Sequence, residues 1–173
     1  MLQLQTTRAN RMLAAVVLVS AALSACNGNQ NYRAPSEAND ATTSRSLFEQ
    51  ATRGFPTCDM GDLFFDEYTQ TTSNRYLQAI EGRRCDTSET FVTYCIDEQF
   101  QGLPVTRLAV PRTTLPVFAL YFDVELEEAR SVLVARLGKD FRGSPSSRHG
   151  AEPELVADPA DASASVLVCT KPD

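Results

Sequence analysis

The stretch Pro116-Val117-Phe118-Ala119-Leu120-Tyr121-Phe122, running directly into Asp123-Val124-Glu125-Leu126-Glu127-Glu128-Ala129, decides the fold. In its first half Phe118, Leu120 and Phe122 alternate with Val117, Ala119 and Tyr121, so both faces are apolar. A strand of that kind belongs in the interior of a sheet, with helix over at least one side. The period then changes. Leu126, Ala129, Leu133 and Leu137 make one helical stripe with Val132 beside it. Asp123 is placed as the N-cap, and Glu125, Glu127 and Glu128 suit the positive end of the helix dipole. Arg136 and Lys139 suit its other end, and Gly138 is the stop. A strand followed at once by an amphipathic helix predicts a sheet with that helix packed on it.

The neighbouring segments extend this sheet. Residues 91–96 are a run of aromatic and branched side chains, Gln101-Gly102 is a turn, and residues 103–110 place Thr106, Leu108 and Val110 on one face. With 116–122 they predict an antiparallel meander. Beyond the helix, a polar loop at 144–149 containing Pro145 precedes two further strands, near 154–157 and 165–170. Before the meander, Ser46-Leu47-Phe48-Glu49 fits a capping box opening a short helix that Gly54 ends. A second helix is expected over 59–69, where Met60, Phe64 and Tyr68 recur at fourfold spacing and Leu63 and Phe65 widen the face. Residues 75–80 are ambiguous between helix and strand and lean towards strand or loop. The expected class is α+β: a mostly antiparallel sheet of about five strands, helices on one face, stapled by two disulfides.

The other end of the chain speaks of location. Arg8 and Arg11 precede an apolar run that starts at Met12, and no acidic residue occurs before Glu37. A basic start, about a dozen apolar residues and small residues before a cut form an export signal, too short for a spanning helix of about 20 residues. The run closes on Leu23-Ser24-Ala25-Cys26, which resembles the lipobox of bacterial lipoproteins. That resemblance implies cleavage before Cys26, a diacylglycerol on its thiol and an acyl chain such as palmitate on its new amino terminus. It implies a cell-envelope protein anchored by lipid and facing the periplasm. In enteric-type sorting Asp after the cysteine is associated with inner-membrane retention, so Asn27 leans towards the outer membrane. Three domains of the chain follow: a leader over 1–25, a lipidated cysteine and tether over 26–43, and one globular domain over 44–173. The tether reading rests on a polar composition without apolar period.

Cleavage removes both arginines of the leader and leaves 148 residues, taking the formal net charge from −6 to −8. That balance argues against nucleic acid and against electrostatic docking on anionic lipid. Four cysteines remain, Cys58, Cys85, Cys95 and Cys169. An even count in an oxidising compartment predicts disulfides. Zinc sites show close cysteine pairs, none occurs here, and the chain's one histidine is His149, so no metal or cofactor is expected. Cys95 and Cys169 both lie in β-like runs, which favours Cys95–Cys169 and Cys58–Cys85 among the three possible pairings.

Motifs for catalysis are missing. The chain has no G-x-S-x-G, H-E-x-x-H, S-x-x-K or glycine-rich phosphate loop. If 59–69 is helical, Asp59, Asp62 and Asp66 share a face beside Glu67, an arrangement a hydrolase could use, although a solvated helix face explains it equally. Asp123, Glu125, Glu127 and Glu128 are accounted for by capping. His149 has no positioned neighbour and reads as a surface residue. Arg83-Arg84 beside Cys85 is a small basic patch. No enzyme is expected. The leading function is a non-catalytic module that binds another envelope protein, in its sharpest form an immunity protein against a toxin acting in the periplasm. The alternatives are an envelope-maintenance or stress-sensing lipoprotein and, last, a hydrolase.

Overall fold

A computed structural model describes residues 37–112, 117–142 and 152–170. The leader, Cys26 with residues 27–36, and His149 with the polar loop around it lie outside the described residues. Within them six strands form one antiparallel sheet: β1 (Arg84–Thr87), β2 (Phe91–Phe100), β3 (Leu103–Pro111), β4 (Val117–Phe122), β5 (Glu154–Asp158) and β6 (Asp161–Thr170). Their order is β1-β2-β3-β4-β6-β5, and every neighbour pair is antiparallel. The α+β class therefore holds, with six strands in place of about five. The additional strand is β1, whose residues Arg-Cys-Asp-Thr carry no apolar alternation and leave almost nothing buried.

The meander β2–β3–β4 runs through the Gln101-Gly102 turn, with both of these residues at positive φ. Strand β4 lies in the interior, between β3 and β6, as its two apolar faces require. Its register with β6 pairs Phe118 with Cys169, Leu120 with Leu167 and Phe122 with Ser165. Phe118, Leu120 and Phe122 join Val92, Tyr94, Leu108, Val110, Leu155 and Leu167 in the main core. Ala109, Ala119 and Val166 form a smaller cluster on the opposite face. Burying these side chains stabilises the fold at about 25 cal/mol per Å² of apolar surface removed from water.

Among the described residues three α-helices cover the main-core face. Helix α3 (Leu126–Leu137) buries Ala129 and Leu133 over β5 and β6, with Leu126, Val132 and Leu137 packed at its edges. Its N-cap is Glu125, not Asp123, with no side-chain cap bond; Asp123 instead gives its backbone N–H to Pro104. Gly138 ends the helix at φ 70, the left-handed C-cap expected of it.

Helix α1 (Glu37–Thr52) begins nine residues before Ser46, inside the segment expected to be tether. Ser46 is thus mid-helix, not a cap. The Ser44 hydroxyl donates to Glu98 of β2 at 2.9 Å and Phe48 is fully buried, so attachment to the sheet carries the helix upstream of the expected start. Helix α2 (Arg75–Ala79) replaces the strand or loop expected there. Asn74 makes it: its side-chain oxygen accepts from the N–H groups of Tyr76 and Leu77 at 3.0 and 3.2 Å, satisfying two open donors of the first turn.

Candidate functional site

Residues 59–72, expected to include a helix, form an irregular loop. Two kinds of contact defeat the helix. Cys58, Gly61 and Gln70 have positive φ (54°, 55° and 56°), outside the helical region. Asp66 also turns its carboxylate onto the loop's own backbone, where Oδ1 accepts from Tyr68 and Thr69 N–H at 2.8 and 3.0 Å. The fourfold apolar set consequently splits: Met60 is buried, whereas Phe64 is 41% and Tyr68 98% exposed. Leu63 and Phe65 are buried and root the loop in the core.

The loop is closed and anchored. Asp66 N–H donates to Thr71 carbonyl at 2.8 Å, the Thr69 and Thr71 hydroxyls meet at 2.8 Å, and Thr72 Oγ1 donates to Phe64 carbonyl at 2.8 Å. Phe65 N–H donates to Pro111 carbonyl at the end of β3, at 3.0 Å. Glu67 faces Arg112 at 3.7 Å, and the Arg84 guanidinium lies 4.3 Å above the Phe65 ring. Tyr68 therefore stands at the tip of a turn in which the backbone N–H groups of Asp66, Tyr68 and Thr69 are bonded within the loop.

Both disulfides bracket this loop, in a pairing that corrects the expected one: Cys58–Cys169 and Cys85–Cys95, with Cα separations of 5.3 and 5.6 Å. The reason is the sheet. Cys95 pairs with Arg107 on the solvent side of β2, whereas Cys169 pairs with Phe118 on the core side of β6. Strands β3 and β4 stand between β2 and β6, so three steps of about 4.8 Å separate them, beyond the roughly 7 Å Cα limit of a disulfide. Cys58 emerges from a short 3-10 turn, Phe55–Thr57, on the core side, where Cys169 faces it. Gly54 permits that turn: a Cβ there would lie 1.7 Å from the Asp59 carbonyl oxygen.

The acidic residues are dispersed by the same folding. Asp62 accepts from Asn74 Nδ2 at 2.9 Å, Asp66 holds the turn, Glu67 faces Arg112, and Asp59 is exposed. They do not share a helix face. Glu127 pairs with Arg130, while Asp123, Glu125 and Glu128 are exposed. Arg83 and Arg84 part company: Arg83 is exposed, and Arg84 pairs with Glu81 and stacks on Phe65. Among the described residues no group of three or more His, Cys, Asp or Glu side chains is placed to hold a metal ion.

Beside the loop, a cleft of about 580 Å³ separates it from the C-terminal half of α1, with Arg53, Asp59, Asp62 and Arg75 on its rim. Arg53 and Arg75 form no ion pair among the described residues. Sequence reasoning missed the loop because the fourfold spacing outweighed the polar run Thr69-Gln70-Thr71-Thr72-Ser73-Asn74, a turn signal that marks its returning limb. No protein-family model, curated protein or solved structure matches the chain.

Proposed function

We propose that this chain is a lipid-anchored protein of the bacterial cell envelope whose domain is a non-catalytic protein-binding module, with loop 59–72 as its contact element. The observation that carries the reading is Tyr68, 98% exposed at the tip of a loop that spends its hydrogen bonds on itself. Aromatic side chains dominate the energetic centres of protein interfaces, and tyrosine brings a large contact area with few rotors to freeze. A turn ordered in advance loses little entropy on docking. Phe64 adds a second aromatic surface on the same loop. The loop also carries Asp59, Asp62, Asp66 and Glu67 and no Lys or Arg, an acidic balance that suits a partner surface with basic residues. The lipobox and the disulfides support a place in the periplasm, held at the membrane and most simply at the outer one.

The sharpest form of the reading is an immunity protein whose loop plugs the cleft of a toxin acting in the periplasm. The test is capture of the tagged full-length protein from membranes, beside its Tyr68→Ala and Phe64→Ala forms. An envelope-acting toxin or peptidoglycan hydrolase should be retained by the native protein. Retention should weaken on the order of tenfold or more with Tyr68→Ala, as removal of an interface centre does. Equal recovery by all three proteins, or recovery of no envelope-acting partner, overturns the proposal.

A further inference from the structure

The two disulfides differ in what can reach them. Cys58 and Cys169 are 4% and 0% exposed, whereas Cys85 and Cys95 are both open to solvent. The exposed bridge joins β2 to β1, an edge strand of four residues whose register with β2 shifts between Arg84 and Asp86, at Cys85 itself. Strand β1 buries no residue fully. Besides its ladder bonds to β2, the bridge is the covalent link that holds it to the sheet.

What β1 touches is the loop. Arg84, next to Cys85, lies on Phe65. The turn between β1 and β2 is tied to Arg112, which donates from Nη1 to Ser88 carbonyl at 2.8 Å and from its backbone N–H to Thr90 carbonyl at 2.9 Å. Arg112 in turn faces Glu67. Two contacts thus run from the clasped hairpin to the two residues that flank Asp66 in the loop.

We propose that Cys85–Cys95 is a thiol–disulfide exchange site, and that opening it loosens the loop that carries Tyr68. The reagent is a dithiol oxidoreductase of the C-x-x-C class. Its thiolate attacks one sulfur of the bridge and breaks the S–S bond, forming a mixed disulfide with that cysteine and expelling the other as a thiolate that takes a proton. The reductant's second thiolate then attacks the mixed disulfide at the reductant's own sulfur and releases the remaining cysteine, which is protonated. Cys85 and Cys95 gain two electrons and two protons, and the reductant ends as a disulfide. Cys58–Cys169 is closed to the same attack while the domain is folded. The exchange stands on accessibility alone; only its consequence for binding rests on the functional reading above.

The experiment treats the full-length native protein with dithiothreitol, traps thiols by alkylation and follows each cysteine by mass spectrometry. Hydrogen exchange is then read on the partly reduced protein and on a Cys85→Ser/Cys95→Ser form. Cys85 and Cys95 should be alkylated together, on the order of tenfold or more faster than Cys58 and Cys169, because the buried pair must await unfolding. Amides of 64–71 should exchange several-fold faster in both opened forms while those of β4 and β6 do not change. Reduction of both bridges at one rate, or of Cys58–Cys169 first, overturns the site; unchanged exchange over 64–71 overturns its link to the loop. Neither readout involves a partner, so failure of the binding reading would show separately in the Tyr68→Ala capture.

Discussion

The two bridged regions use one chemistry for opposite ends. Cys58–Cys169 spans 111 residues and is sunk in the core, fastening the foot of the loop to β6, an interior strand. Cys85–Cys95 spans 10 residues and lies on the solvent side at the sheet's edge. Separation along the chain sets how much entropy a bridge removes from the unfolded state, whereas depth in the fold sets who can reach it. Here the long closure is also the buried one, so the bridge that does most for stability is the one solvent thiols cannot touch. The short bridge is free to act on local order alone. A loop held by both has a fixed foot and a releasable flank.

The largest expected effect breaks the buried side of this comparison. Replacing Cys58 and Cys169 together by alanine should cost about 5 kcal/mol, from loop-closure entropy with an added loss of core packing. Replacing Cys85 and Cys95 together by serine should cost about 2–3 kcal/mol, since a ten-residue closure removes less entropy and the new hydroxyls remain in water. Urea unfolding of the three proteins gives both numbers, and the slope should rise more on loss of the 111-residue closure than of the ten-residue one, because the freed denatured chain exposes more surface. If the exposed pair proves the more destabilising of the two, depth and separation do not divide the roles as argued.

The same contrast explains what the amino-acid sequence disclosed. Strands β2, β3 and β4 and helix α3 were legible because their apolar periods are long and clean, as in Phe118, Leu120 and Phe122 or Leu126, Ala129 and Leu133. Strand β1 was not, because Arg84-Cys85-Asp86-Thr87 has no apolar side to show. The pairing of cysteines failed for a related reason. Cys95 alternates with Tyr94 and Ile96 and shares its parity with Thr93 and Asp97, which marks it as outward. Cys169 follows Val166-Leu167-Val168, apolar on both faces, and its side is fixed only by the register with β4. Loop 59–72 looked helical because Met60, Phe64 and Tyr68 fall four apart. Its geometry instead comes from Asp66 bonding its own turn and from the bridge at Cys58, the second of which is tertiary. Helix α2 is five residues long and rests on one cap at Asn74, too little pattern for a periodicity to register.

The smallest effect sharpens the comparison by charge. Among the described residues two tyrosines are buried, Tyr76 and Tyr94, and only Tyr94 adjoins the exposed bridge. Tyr76 packs edge-on against Phe48 at 5.3 Å and donates to Glu98 at 3.4 Å; burial, then the Glu98 carboxylate, hold its phenol far above the usual value. Burial also raises Tyr94, next to the exposed bridge, but there the Arg84 guanidinium pulls the other way. A phenol whose pKa is higher folded than unfolded stabilises the fold fully below the unfolded value of about 10, and that contribution is lost as pH rises beyond it. Stability should accordingly begin to fall near pH 10 and go on falling above it, and Tyr76→Phe should remove more of that fall than Tyr94→Phe. The phenolate formed at Tyr94 finds a cation beside it, whereas one at Tyr76 meets a carboxylate. Urea midpoints followed across that range decide the matter: an alkaline decline that survives Tyr76→Phe but disappears with Tyr94→Phe would reverse the assignment and place the sensitive group on the clasp side of the sheet.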